Sequence, residues 1–197
     1  MTYKNLLLIL VFVCFACTKS VEVETCTKTN SDFKTVSGWL KLEMPKLVNS
    51  TIGTHYLRNI IFLNDNFGLI VGGSGELLKT NSGGLCWEEL EVLRDENGGS
   101  LFRKISIINE NMFFASGRGI YKTTDGGNTF KEVGITEAWG DANTFDMHFF
   151  NENTGLILKA GRFLYKTEDG GLTWFNVYPD FSSSQHLLFV TPNIGYL

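Results

Sequence analysis

The chain has 197 residues, of which 43% are hydrophobic, 13% aromatic and 19% charged, with 21 Gly and only 3 Pro. Because disordered chains are poor in aromatic residues and rich in charge, this composition excludes disorder as the main state. A net charge of −4 and only 4 Cys argue against a basic nucleic-acid binder and against a disulfide scaffold. Many glycines and aromatics with little proline favour short strands joined by tight turns.

The N-terminal segment predicts export. Lys4 is followed by an apolar run from Leu6 to Ala16. A membrane-spanning helix needs about 20 apolar residues, so this run is too short to span a bilayer. A short apolar run behind a positive charge is typical of a secretory signal peptide, which we assign to residues 1–16.

The end of this run predicts a lipid anchor. Ala16 precedes Cys17, and a small residue before a cysteine resembles a bacterial lipobox, although Phe15 and Cys14 depart from that motif. Cys17 is then the lipid-modified first residue of an envelope protein held at a membrane, and residues 17–36 form a tether. The alternative is an ordinary cleaved signal in which Cys17 has no role.

A repeat organises residues 37–197. Thr80, Thr123 and Thr167 stand at the same place in three similar segments, which gives a period of roughly 43 residues. A second feature recurs at the same pace, an asparagine-rich turn between two apolar stretches. Its copies are Asn64-Asp65-Asn66, Asn109-Glu110-Asn111, Asn151-Glu152-Asn153 and Thr191-Pro192-Asn193.

Each repeat contains four predicted strands. In the second copy they are Arg103–Ile108, Met112–Ser116, Ile120–Thr123 and a fourth near Phe130–Val133. Four short antiparallel strands in a unit of this length are typical of a propeller blade. We therefore predict an all-β fold, a β-propeller of four-stranded antiparallel blades.

The repeat count predicts an incomplete ring. His186–Val190 is read as a first strand and Ile194–Leu197 as the start of a second, so about three and a half blades are expected. Because propellers have 4–8 blades, we expect this sequence to be a fragment of a longer protein.

The turn of each repeat has a conserved spelling, Thr-x-Asp-Gly-Gly-x-Thr-Trp in idealised form. The carboxylate accepts backbone N–H bonds, the glycines supply positive φ, and the final aromatic enters the core. Ser82 replaces the aspartate and Cys86 the second threonine in the first copy. The motif positions are Thr80, Ser82, Gly83, Gly84 and Trp87, then Thr123, Asp125, Gly126, Gly127 and Phe130, then Thr167, Asp169, Gly170, Gly171 and Trp174.

This motif resembles the Asp-box, also called the bacterial neuraminidase repeat. Its spelling, with Gly68–Gly72 and Gly155–Leu158 as preceding strands, is most similar to the photosystem II stability/assembly factor-like propellers. In that resemblance Ser37–Leu42 is an outer strand ahead of the first whole blade. The resemblance implies a structural Asp-box and a binding role, in photosynthetic and other bacteria alike.

The resemblance also names an arginine patch by which photosynthetic relatives are thought to grip partners. Arg58 and Arg103 occupy equivalent first-strand starts near the predicted central channel. They are candidates for partner binding; the alternative is solvated charge at the rim. Trp139, on the longest connection between blades, is the other candidate contact residue, or else folds back on its own loop.

Chemistry-bearing residues show no catalytic pattern. A sialidase needs an arginine cluster and a Tyr–Glu pair, and a glycosidase needs two facing carboxylates, which no pair of acids here singles out. His55, His148 and His186 come from separate blades and predict no metal site. Cys26 and Cys86 are left to form a disulfide, or Cys86 is a buried free thiol.

The sequence therefore predicts a non-catalytic, envelope-anchored propeller that binds a protein or glycan, with an assembly or scaffold role. No catalytic residue, metal, cofactor or nucleic-acid partner is expected. The alternative is a sialidase-like or other glycoside hydrolase, for which only the shared repeat speaks.

Overall fold

The computed structural model describes residues 35–36, 39–40, 57–73, 75–91, 102–117, 119–134, 144–159, 163–178, 186–191 and 194–196. Within these ranges every regular element is a β-strand, as predicted. No helix in this part of the chain has the length and apolar character to cross a membrane.

Sixteen strands follow one another along the chain. They are β1 Thr35–Val36, β2 Trp39–Leu40, β3 Leu57–Phe62, β4 Gly68–Gly72, β5 Leu77–Thr80, β6 Glu88–Glu89, β7 Lys104–Ile107, β8 Phe113–Ser116, β9 Ile120–Thr123, β10 Lys131–Val133, β11 Thr144–Phe149, β12 Gly155–Lys159, β13 Phe163–Thr167, β14 Phe175–Tyr178, β15 Leu188–Thr191 and β16 Ile194–Tyr196.

The strands form three four-stranded antiparallel sheets. We call them the first blade (β3–β6), the second blade (β7–β10) and the third blade (β11–β14), and each has its strands in chain order. β15 and β16 pair as a two-stranded fourth sheet. These sheets confirm the propeller prediction and its count of three blades and part of another.

The strand predicted ahead of the first blade is shorter than expected. Trp39–Leu40 pairs with Thr35–Val36 as a separate two-stranded sheet. Thr35 and Val36 fall inside the segment that the sequence assigns to the tether.

Apolar clusters lie between successive blades. Leu69, Val71 and Leu77 of the first blade pack with Ile105 and Phe113 of the second. Phe114 and Ile120 of the second blade likewise pack with Met147, Phe149 and Ile157 of the third. β7 contacts both β3 and β11, so the first strands of the blades lie side by side. The blades are thus stacked around a common inner face made of their first strands.

The asparagine-rich turns are closed by their first asparagine. The Asn109 side-chain oxygen accepts from the N–H groups of Asn111 and Met112, at 3.0 and 2.9 Å, and Asn64 and Asn151 do the same in their own turns. An asparagine side chain that bonds the backbone two and three residues on favours a tight turn. This local bond explains why one residue type recurs between the first and second strands.

The Asp-box turns are closed in the same local way. The Thr123 hydroxyl accepts from Gly127 N–H at 3.0 Å and donates to the Asp125 carboxylate at 2.8 Å. That carboxylate also accepts from the Thr129 backbone and hydroxyl. These hydrogen bonds, led by the Thr129 hydroxyl, lower the pKa of Asp125 to about 2, and those from Thr173 do the same for Asp169.

The first copy confirms that serine replaces only part of the aspartate. The Ser82 hydroxyl accepts from Cys86 N–H at 3.0 Å, as Asp125 does from Thr129, and Gly84 N–H still donates to Thr80 at 3.0 Å. A hydroxyl has no second oxygen with which to hold a further partner. This turn has another tie, because Cys86 forms a disulfide.

The two repeated features of the sequence contact each other. The first glycine of each Asp-box donates its N–H to the last asparagine of the turn in the same blade: Gly83 to Asn66, Gly126 to Asn111 and Gly170 to Asn153, at 2.8–2.9 Å. The turn between strands one and two therefore docks onto the turn between strands three and four.

Candidate partner-binding face

Two guanidinium groups lie together on the inner face. Arg103 directly precedes β7, where its N–H donates to the Ser116 carbonyl at 2.7 Å. Its Nε is buried and has no hydrogen-bond partner. Burial, and then the positive charge of Arg58, lower the pKa of Arg103. An unpaired buried donor beside a like charge is costly, and an incoming acceptor would remove that cost.

Arg58 lies close to the backbone of the neighbouring strand. A Cβ placed on Gly73 would come within 2.6 Å of Arg58 Nε, so the absence of a side chain there leaves room for the guanidinium. Arg58 is itself exposed on β3. The pair therefore consists of one exposed and one partly buried cation.

Asp146 joins three sheets at the same level of the inner face. Its carboxylate lies 3.4 Å from Lys104 Nζ of the second blade and accepts from Leu187 N–H beside the fourth sheet at 2.9 Å. His186 Nδ1 lies 3.6 Å from the same carboxylate. Asp146 is thus committed to holding sheets together and has little capacity left for acid–base chemistry.

Asn59 performs the equivalent task one interface earlier. Its side-chain oxygen accepts from Ile105 N–H of the second blade at 3.3 Å. The Ser106 hydroxyl then accepts from Phe149 N–H of the third blade at 2.8 Å. Our sequence reading missed this series of bridges between inner strands; its signal is a polar residue within each otherwise apolar first strand.

The histidines lie apart in function. His148 stacks on Phe189, with ring centroids 4.7 Å apart, and burial lowers its pKa although Asp146 acts in the opposite direction. His186 is exposed. Among the described residues no group of three or more potential metal ligands occurs.

An open cleft of about 310 Å³ lies between the Asp-box turns of the second and third blades. Its walls include Lys122 and Asp169, but Lys122 donates to the Glu152 carbonyl at 3.1 Å and Asp169 is bonded within its own turn. The sequence did not predict this cleft. Its polar groups already have partners, so the arginine pair is the stronger candidate site.

Several predicted site residues fall outside the described ranges. These are Cys17, Cys26, His55, Trp139, and the acids Glu137 and Asp141. The partner of the Cys86 disulfide also lies outside them, but the bond itself shows that the free-thiol alternative for Cys86 is wrong. Trp139 and Cys17 remain predictions.

The structure thus brings Arg58 and Arg103 together and leaves their charge uncompensated on the inner face. Such a pair suits a carboxylate, which guanidinium groups bind with charge-assisted hydrogen bonds. The described acids do not form a facing pair of the kind that glycoside hydrolysis needs, since Asp146 is bridged and Glu152 is exposed in a turn.

Comparison with solved structures places the fold among propellers. A YCF48 bound to a D1 peptide has 21% sequence identity and a TM-score of 0.57, and the match covers 63% of this chain and 40% of that one. YCF48 from Cyanidioschyzon merolae has 21% identity and a TM-score of 0.53, over 62% of this chain and 37% of the other. An ancestral GH74 enzyme has 14% identity and a TM-score of 0.52, over 67% and 19%.

This chain therefore spans well under half the length of the structures it resembles. Among curated proteins none matches it. The family model for photosynthesis system II assembly factor YCF48 matches residues 34–139, which is more than half of the chain and includes the first two blades, Arg58 and Arg103. The chain belongs to the photosynthesis system II assembly factor YCF48 family.

Proposed function

We propose that this chain is a non-catalytic binding module that captures a segment of another protein through Arg58 and Arg103. The observation that carries the proposal is the buried, unpartnered Nε of Arg103 beside a second guanidinium. Support comes from a structural neighbour whose bound ligand is a peptide. The partner's contribution is a carboxylate, from a chain end or from an acidic side chain.

The charge of the pair favours a peptide over a neutral glycan. Guanidinium groups pair with carboxylates in two-pronged geometry, whereas neutral sugars offer only hydroxyl groups. The inner face also carries Lys104, whose charge is already matched by Asp146. An assembly or scaffold role follows from peptide capture without turnover.

The test is peptide binding measured by fluorescence anisotropy. Labelled 15-residue peptides would be used in three forms: acidic with a free carboxyl end, the same peptide amidated, and the same with its acids changed to amides. Arg58→Ala and Arg103→Ala together should weaken binding of the acidic form roughly 10- to 100-fold, which corresponds to about 1.5–3 kcal/mol for hydrogen bonds to a charged group.

The matched control is Lys131→Ala, which removes one exposed positive charge from β10 at the opposite edge of the second blade. It should leave affinity within about twofold, since isolated surface charges contribute little. Equal binding by the double arginine variant and the wild type would refute the proposal. Turnover of fluorogenic glycosides, including sialosides, by the pure protein would instead support the hydrolase alternative.

We also propose that the module works at the cell envelope, anchored by lipid on Cys17. The apolar run before Cys17 and its small neighbour support this. Cys17→Ala should move the protein from the membrane fraction to the soluble fraction, because several acyl chains contribute about 0.8 kcal/mol per buried CH₂. Membrane fractionation with immunoblotting measures it, and a variant that stays with membranes would disprove the anchor.

A further inference from the structure

One phenylalanine marks the same position in three sheets. Phe62, Phe149 and Phe189 each pair across the first two strands with a glycine, which is Gly68, Gly155 and Gly195 respectively. A Cβ on any of these glycines would lie 2.5–2.7 Å from the facing ring. The three rings therefore occupy equivalent places, and what surrounds one predicts what surrounds the others.

Two of these rings pack against the blade before them. Phe149 stacks on Phe114 of the second blade, with centroids 3.5 Å apart. Phe189 of the fourth sheet contacts His148 and Phe150 of the third blade, at 4.7 and 4.8 Å. The position is thus the backward-facing anchor of each sheet.

The third ring belongs to the first blade and is largely uncovered. Phe62 is 43% exposed, and Ile60, two residues earlier on the same strand, is 57% exposed. Residues two apart on a strand share a face, so Ile60 and Phe62 form one apolar surface. We call this pair the back face.

A matching surface lies at the other end of the structure. His148 and Phe150, which receive Phe189, have Leu188 and Val190 as their equivalents on β15. These two side chains are 62% and 66% exposed. We call this pair the front face; it has the positions of a receiving surface and no described ring within it.

We propose that two copies of this chain join head to tail, with the back face of one copy packed on the front face of the other. Phe62 would enter between Leu188 and Val190 as Phe189 enters between His148 and Phe150. The occupant is a second copy because the chain itself carries both halves of an interface that it already forms twice internally. Two different patches that meet in this way form a heterologous contact, which closes into a ring or propagates.

The contact is independent of the proposed peptide site. The back and front faces consist of apolar side chains, whereas that site consists of Arg58 and Arg103. Charge placed on either face would bury an ion without a partner and block the contact. Failure of one proposal therefore leaves the other testable.

The experiment is sedimentation velocity on the whole chain over a wide concentration range. Wild-type protein should form dimers or longer head-to-tail species as concentration rises. Phe62→Asp and Val190→Asp should each weaken association by roughly tenfold or more, since each loses one face. A mixture of the two should form a one-to-one dimer and stop there, because each variant keeps one intact face.

Leu172→Asp is the matched control, since Leu172 is 60% exposed on the third Asp-box turn and belongs to neither face. It should associate like the wild type. If Phe62→Asp or Val190→Asp loses its β-sheet circular dichroism, Ile60→Asp and Leu188→Asp replace them. A wild type that stays monomeric, or a mixture of variants that does so, would overturn the proposal.

Discussion

Replacing Phe149 by alanine is expected to lower the free energy of unfolding by about 3–5 kcal/mol, the range for large-to-small changes at buried aromatic residues. Phe149 is buried, stacks on Phe114 at 3.5 Å and meets the Trp174 ring edge-on at 6.0 Å. Its loss would leave a cavity between the second and third blades. Urea denaturation followed by tryptophan fluorescence and circular dichroism measures the change.

The control is the same substitution at Phe175, an exposed phenylalanine on β14 of the third blade. Its side chain retains access to water, so Phe175→Ala should cost less than about 1.5 kcal/mol. Similar losses for the two variants would contradict the role given to the ring between the blades. A changed denaturant slope for Phe149→Ala alone would show that the blades had begun to unfold separately.

Replacing Gly170 by alanine is expected to cost about 2–4 kcal/mol, because two penalties add there. Gly170 has φ +74°, which is unfavourable for a residue with a side chain. An added Cβ would also lie 2.8 Å from the Glu152 carbonyl oxygen, which belongs to the docked asparagine turn. The hydrogen bond from Gly170 N–H to Asn153 would be strained as well.

Gly126 separates the two penalties. It has the same φ of +74°, but its added Cβ would lie 3.5 Å from the Glu110 carbonyl, which is ordinary contact. Gly126→Ala should therefore show the backbone penalty alone, about 1–2 kcal/mol. Thermal unfolding of both variants gives the comparison, and equal shifts in melting temperature would show that the collision with the turn has no consequence.

Much of the fold was predictable because its defining bonds are local. The Asp125 carboxylate and the Thr123 hydroxyl bond groups within four residues along the chain. The asparagine turns do the same within three. Strand bounds in the second blade were predicted to within one or two residues, for example β8 at Phe113–Ser116 against a predicted Met112–Ser116.

The candidate site was predicted only in part. Arg58 and Arg103 were named because they stand at equivalent places in the repeat, and the family match extends over both. That Arg103 buries an unpaired Nε, and that Arg58 lies against Gly73, depends on packing that the sequence does not display. The role of Asp146 as a bridge was missed for the same reason.

The sequence by itself determined the unit of this protein, a four-stranded blade closed by two kinds of turn, because residues a few positions apart make the necessary hydrogen bonds. Only the tertiary structure decided how units meet. Asn59 with Ile105, Ser106 with Phe149, and Asp146 with Leu187 join residues 46, 43 and 41 positions apart. Such contacts depend on how the blades stack, and so do the uncovered faces at Phe62 and Val190.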